Sequence, residues 1–179
     1  MSPTIVHRGS VFSVEEVRQT GRAGAEIVRH IVRHPGAVVV VPLLADGRLV
    51  TIRNFRVSVQ EWLEEFCAGK LEPGEDPAAA AARELIEETG YRAERIEPLG
   101  WFYTSPGFAD ERMYAFAAFE LSEAGRRLED DERIEVELRA PEEFQRRIAA
   151  GQVRDGKSIS AFYLWQQFRA TLTPSHGTG

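Results

Sequence analysis

Gly69-Lys-Leu-Glu-Pro-Gly-Glu-Asp-Pro-Ala-Ala-Ala-Ala-Ala-Arg-Glu-Leu-Ile-Glu-Glu-Thr-Gly-Tyr91 is the stretch on which the fold turns. Asp76 suits a helix N-cap, and Pro77 suits the first helical position, where its missing amide hydrogen is no loss. Gly90 tolerates the left-handed backbone that ends helices. The stretch therefore predicts a helix over 77–89, preceded by a Gly/Pro-punctuated loop from Gly69 to Glu75. At about 100° per residue, Glu84, Glu87 and Glu88 share one arc, spaced i, i+3, i+4. Ala78, Ala82, Leu85 and Thr89 fall opposite and are expected on the face that packs, leaving the three carboxylates on the other.

Three clustered carboxylates repel, by roughly a few tenths of a kcal/mol per pair when exposed and by more when desolvated. They also sit toward the helix C-terminus, where the dipole disfavours negative charge. Arg83, four residues before Glu87, can relieve one of them. A hard divalent cation would reverse the sign of this cost, because carboxylate oxygens are the ligands that Mg2+ prefers and shares with substrate phosphates. An acidic helix face taken alone is more often a solvated surface.

Outward from this helix the pattern is strand-rich. Gly36 to Leu44 is a continuous apolar run, read as a strand buried on both faces. Asp46-Gly47 is a hairpin signal, with Leu49 to Phe55 expected to return as the partner strand. The first 20 or so residues alternate as strands, and the β-branched Ile27, Val28, Ile31 and Val32 lean the same way. Glu97–Tyr103, Arg112–Leu121 and Ile134–Arg139 read as further strands. Helices are expected from Pro141 to about Ala150 and from Ser158 to Ala170. The sum is an α+β chain, a mixed sheet with helices packed on it. Residues 1–35 form a separate N-terminal strand segment, 36–170 the main domain, and 171–179 a polar, Gly/Pro-containing tail expected to be flexible.

The chain has 179 residues, 43% of them hydrophobic and 28% charged, which suits one globular domain. No run of 18 or more apolar residues occurs, so a membrane-spanning helix is not expected. Met1-Ser2-Pro3-Thr4 does not open a secretory signal. Cys67 is the only cysteine, which excludes an intrachain disulfide and makes a reducing, cytoplasmic setting the expectation. Basic residues number 22 and acidic residues 28, for a net charge of −6. That balance argues against bulk binding to nucleic acid, and a phosphorylated ligand would need a divalent cation between two sets of negative charge.

Gly69, Glu75, Arg83, Glu84, Leu85, Glu87, Glu88 and Gly90 match the Nudix box, G-x5-E-x7-R-E-U-x-E-E-x-G-U with U a bulky apolar residue. Tyr91 is the soft match, aromatic where an aliphatic is usual. The chain thus resembles a Nudix hydrolase. The resemblance implies an α/β/α sandwich and cleavage of a nucleoside diphosphate linked to another group, with Mg2+ or Mn2+ held by the box glutamates. By the same resemblance, Glu84 and Glu88 are the main metal ligands, Glu87 is a further one, and Arg83 orients a glutamate.

The flanking segments look like those of ADP-ribose and ADP-sugar pyrophosphatases. Glu65-Phe-Cys-Ala-Gly-Lys70 is similar to that subgroup's E-L-P-A-G-K, with Cys67 in place of proline, and implies that the Ala68 carbonyl ligates metal. Cys67 itself reads as a small buried hydrophobe. Pro106 in Ser105-Pro-Gly-Phe108 lies where the subgroup carries a marker proline, so Pro106 and Gly107 join the substrate-binding set. Arg56 in Arg53-Asn-Phe-Arg56 resembles the arginine that contacts the pyrophosphate, and Arg29 the one that approaches the nucleotide. Glu132, with Asp131 and Glu135 as alternatives, corresponds to a loop glutamate that helps activate water. Phe12, Trp62 and Trp101 are all available to stack a base.

The activity so implied is Mg2+-dependent hydrolysis of ADP-ribose, or a related ADP-sugar, to AMP and ribose 5-phosphate. Alternatives are another substrate such as GDP-mannose or NADH, or a non-catalytic ligand sensor on the same fold. The nucleotide sugar is the implied partner, and by the same resemblance the N-terminal segment implies a homodimer.

Overall fold

The computed structural model describes residues 4–128 and 133–172. Three strands come first, β1 (Thr4–Arg8), β2 (Ser13–Thr20) and β3 (Glu26–Arg33), forming an antiparallel sheet of their own. Then follow β4 (Ala37–Pro42), β5 (Leu49–Arg56), β6 (Glu61–Glu65) and β7 (Ala68–Lys70). Helix α1 (Pro77–Glu84) continues into a π-helical turn, Leu85–Thr89. The chain closes with β8 (Tyr91–Tyr103), β9 (Arg112–Glu123), β10 (Ile134–Arg139), α2 (Pro141–Ala149) and α3 (Gly156–Leu172).

The central sheet has the order β7-β4-β9-β8, with β4 and β9 parallel and the outer pairs antiparallel. Period-2 alternation splits its side chains between two cores. Val38 and Val40 of β4 and Phe116 and Ala118 of β9 join Ala80, Ala81 and Leu85 on the α1 side. Val39, Val41, Ala115 and Ala117 face the other way, against Phe66, Phe144, Phe162 and Trp165. Both faces of β4 are covered, which is why it reads as an unbroken apolar run. The result is the expected α+β chain, a helix/sheet/helix sandwich with a mixed sheet. No helix among the described residues is long and apolar enough to cross a membrane.

Several expectations need correction. The Asp46-Gly47 turn forms, closed by Leu44 N–H to Arg48 O at 2.8 Å and Gly47 N–H to Leu44 O at 2.9 Å. β5, however, does not pair with β4, and Leu49 only bridges to Leu43, just past the end of β4. Both edges of β4 are already taken by β7 and β9, so β5 instead pairs with β6 and β10 in a third sheet. β6 and the short β7 had no clear sequence signal, since one is charge-rich and the other is three residues long. The final helix extends through Leu172, so Thr171 and Leu172 belong to it rather than to a tail, and 173–179 lie outside the described residues.

The N-terminal sheet is hydrogen-bonded to the sandwich where β3 meets the Phe108–Asp110 segment. Val32 N–H donates to Phe108 O at 2.8 Å, and Asp110 N–H returns to Val32 O at 3.1 Å. Arg33 adds an ion pair to Asp110, and His34 N–H donates to Asp110 Oδ1 at 2.9 Å.

Phe144 lies fully buried between Phe66 and Phe162, with ring centroids 4.9 and 5.0 Å away. Phe144→Ala is expected to lower unfolding stability by about 3–5 kcal/mol in a denaturant titration. A loss under about 1 kcal/mol would mean that α2 is not part of the core as described.

Candidate active site

The box helix is not a uniform α-helix. Thr89 Oγ donates to Leu85 O, Gly90 N–H donates to Ile86 O at 2.9 Å, and the last turn widens to π geometry. The packed face includes Ala80, Ala81, Leu85 and Thr89, while Ala78 is exposed and Ala82 only half-buried. Nor do the three glutamates share a solvated face. Glu84 and Glu88 are buried, at 8% and 2% exposure, and Glu87 is half-buried. Helix end and following strand are fixed by Gly90, at φ +78°, where any side chain would crowd Arg126.

Burying carboxylates requires compensation. Arg83 supplies much of it, donating to Glu75 at 2.9 and 3.0 Å, to Glu84 at 2.6 Å and to Glu87 at 3.0 Å. These bonds, led by the one to Glu75, hold the Arg83 guanidinium above its ordinary range, and Arg83 in turn holds the Glu75 carboxyl below its own. Glu88 Oε2 accepts from the Ala68 amide at 2.8 Å. Glu84 lies directly over Gly69, where an added Cβ would fall 1.8 Å from Glu84 Oε1. The glycine at the start of the motif therefore makes room for a glutamate fifteen positions later.

A cavity of about 240 Å3 opens beside this helix, lined in part by Val11, His34, Arg56, Ala68, Gly69 and Lys157. A second, of about 400 Å3, adjoins it and shares Glu111, Met113 and Lys157. Arg56 lies on the cavity wall, and its guanidinium forms a two-pronged pair with the fully buried Glu65 at 2.8 and 2.6 Å. That pairing outweighs the opposing effect of burial and keeps Arg56 above the ordinary guanidinium range.

The remaining sequence candidates scatter. Pro106 and Gly107 form an exposed turn, closed by Phe108 N–H to Ser105 O at 3.1 Å and Ala109 N–H to Ser105 O at 2.9 Å, between the cavity residues Thr104 and Glu111. Arg29 is exposed on β3, paired across from Val17, and lines neither cavity. Glu132 and Asp131 lie outside the described residues, and Glu135 faces Arg53 at 3.3 Å on the exposed side of β10. Phe12, Trp62 and Trp101 line neither cavity, although Val11 beside Phe12 does. Cys67 is fully buried, and burial pushes its thiol well up, as suits an inert core residue.

Among the described residues, no three Asp, Glu, His or Cys side chains are arranged as they stand to enclose an ion. Arg83 engages Glu84 and Glu87, and the Ala68 amide engages Glu88. The donor chemistry nonetheless fits a hard divalent cation. The oxygens are carboxylate or backbone, two carboxylates are buried, and the Gly69 backbone is a cradle that a Cβ would fill. Binding would shift side chains away from their present partners rather than fill a finished cage.

A model of the NUDIX domain matches residues 32–162, which takes in the box, the cavity walls apart from Val11, and the start of α3. The chain belongs to the Nudix hydrolase family. This Nudix hydrolase is 42% identical over 140 residues to an ADP-ribose pyrophosphatase of Bacillus subtilis, covering 77% of this chain and 76% of that one. It is 43% identical over 136 residues to a methanol dehydrogenase activator of Bacillus methanolicus, covering 74% and 73%. A GDP-mannose pyrophosphatase of Cronobacter sakazakii is 36% identical over 152 residues, covering 77% and 78%. A crystal structure of an ADP compounds hydrolase superposes with a TM-score of 0.81 over 96% of each chain at 23% identity, a likeness of fold.

Sequence reasoning placed the box correctly and missed three residues around it. Glu65 stands out in the sequence only as part of a motif, and Glu111 and Lys157 carry no signal in their own neighbourhoods. Gly69→Ala is expected to weaken Mn2+ binding at least about tenfold in calorimetry, because Glu84 must leave its position. Unchanged affinity would separate Glu84 from the ion.

Proposed function

We propose that this Nudix hydrolase cleaves the pyrophosphate bond of ADP-ribose, or a closely related ADP-sugar, giving AMP and ribose 5-phosphate. The observation that carries this reading is the junction of buried glutamates with the Arg56 cavity across the Ala68–Gly69 backbone, in a chain so similar to an ADP-ribose pyrophosphatase. Glu84, Glu87, Glu88 and the Ala68 carbonyl would hold Mg2+ or Mn2+. The ion would supply Lewis-acid stabilisation of phosphate charge and make a nearby water more acidic.

The chain's own groups do the rest. Arg56 binds phosphate oxygens through its guanidinium, a planar donor suited to them. Arg83 holds Glu84 and Glu87 in place through its hydrogen bonds. Water attacks one phosphorus, the bridging P–O bond breaks toward the other phosphate, and a glutamate takes the water's proton. Glu132 is the proposed base, with a box glutamate as the alternative. Pro106 and Gly107 would shape the wall near Thr104, and Arg29 would approach the nucleotide end.

We also propose a homodimer in a cytoplasmic setting. Ile5, Val6, Phe12 and Val28 leave apolar surface exposed on the N-terminal sheet, which a second copy would cover. Light scattering should return twice the 20.1 kDa chain mass. A single-chain mass would dismiss the dimer.

Purified protein with Mg2+ is expected to release AMP and ribose 5-phosphate from ADP-ribose faster than it cleaves ADP-glucose, GDP-mannose or NADH. Glu88→Gln should reduce kcat at least about a hundredfold while the protein stays folded. A preference for GDP-mannose would move the chain to the other substrate class, and no turnover of any of the four would leave the sensor reading.

A further inference from the structure

Glu65 is a fully buried carboxylate facing two cations. Arg56 reaches it through Nε and Nη2, at 2.8 and 2.6 Å, and Arg56 Nη1 makes no hydrogen bond among the described residues. Lys157, at the start of α3, pairs with Glu65 Oε2 and also lies 3.0 Å from Asp155. Asp155 accepts from Ser158 N–H at 3.0 Å and Ser158 Oγ at 2.5 Å, and Ser158 Oγ accepts from Phe66 N–H at 2.8 Å. The network thus starts on β5, crosses β6, caps α3 and returns to the residue after Glu65. Its four charges balance, two cations against two carboxylates.

A buried ion pair is weak evidence for stability, since an apolar replacement often serves as well, and its better use is to fix a geometry. Glu64, next in sequence, makes the contrast. It points to the other face of β6, where Arg139 and Arg147 hold it at 2.9 and 2.6 Å and tie in β10 and α2, and it lines neither cavity. Glu64 braces elements, whereas Glu65 grips the one arginine that the cavity exposes.

We propose that Glu65 is a positioning residue that aligns the Arg56 guanidinium for the pyrophosphate, with Lys157 anchoring Glu65 to α3. Two bonds on one edge of the guanidinium fix its plane and leave Nη1 for a phosphate oxygen. This inference rests on the pyrophosphatase reading above. It predicts a split between kinetic constants, because loss of alignment affects the displacement more than the encounter with substrate.

Glu65→Gln and Glu65→Asp are expected to lower kcat for Mg2+–ADP-ribose by about 10–100-fold. KM should stay level, or fall for Glu65→Gln, which leaves the cluster one positive charge in excess. In an Arg56→Ala background, Glu65→Gln should add no further loss of kcat, since it acts through that arginine. Glu64→Gln should lower the unfolding midpoint and leave kcat intact. If Glu65→Gln does not fold, Glu65→Asp carries the same kinetic expectation with the charge retained. Unchanged kcat in the Glu65 variants, or losses that multiply with Arg56→Ala, overturns the inference while wild-type turnover stands. A wild type that neither turns over ADP-ribose nor binds Mg2+–pyrophosphate in calorimetry overturns the parent reading, and this inference with it.

Discussion

Buried negative charge is the constraint around which this molecule is organised. Glu84 and Glu88 sit under the β6–β7 backbone, where an uncompensated carboxylate would be costly. The surroundings answer that cost one group at a time. Arg83 spans Glu75, Glu84 and Glu87, the Ala68 amide donates to Glu88, and Gly69 gives up a side chain so that Glu84 can fit. Arg83 thereby occupies electrostatically the role that a divalent cation would share, and the π-helical last turn carries Glu88 to the Ala68 amide.

The opposite wall follows the same logic with the signs exchanged. Arg56 is held by a buried acid, Glu65, which is itself held by Lys157. Acidic helix and basic wall meet across two backbone positions, Ala68 and Gly69, and the cavity is lined by that backbone together with Arg56. The sandwich supplies the rigidity. β4 is covered on both faces, and its pairing with β7 fixes the Ala68–Gly69 backbone to the centre of the sheet.

Much of this was legible in the sequence because it rests on local rules. The Asp76 cap, Pro77 and the Gly90 stop bound the helix, and the valine run of β4 announces burial on both faces. What escaped depends on tertiary context. The face of the box helix differs from the expectation because a run of five alanines does not mark which of them packs, and because Glu84 and Glu88 look like surface residues until Gly69 and Ala68 are seen against them. β5 was sent to the wrong partner because a turn fixes where a chain reverses but not whether the neighbouring edge is free. Lys157 and Glu111 reach the site from α3 and from the segment before β9, and nothing in their neighbours in sequence marks them.

The central claim is that the buried glutamates grip a dication that captures a diphosphate. Electron paramagnetic resonance of Mn2+ tests it most directly, with free ion titrated against wild type and Glu84→Gln, each with and without a non-hydrolysable ADP-ribose analogue. The account predicts bound Mn2+ in the wild type, tightened by the analogue, and loss of both effects in the variant. Wild-type and variant curves that coincide, with no response to the analogue, would contradict it.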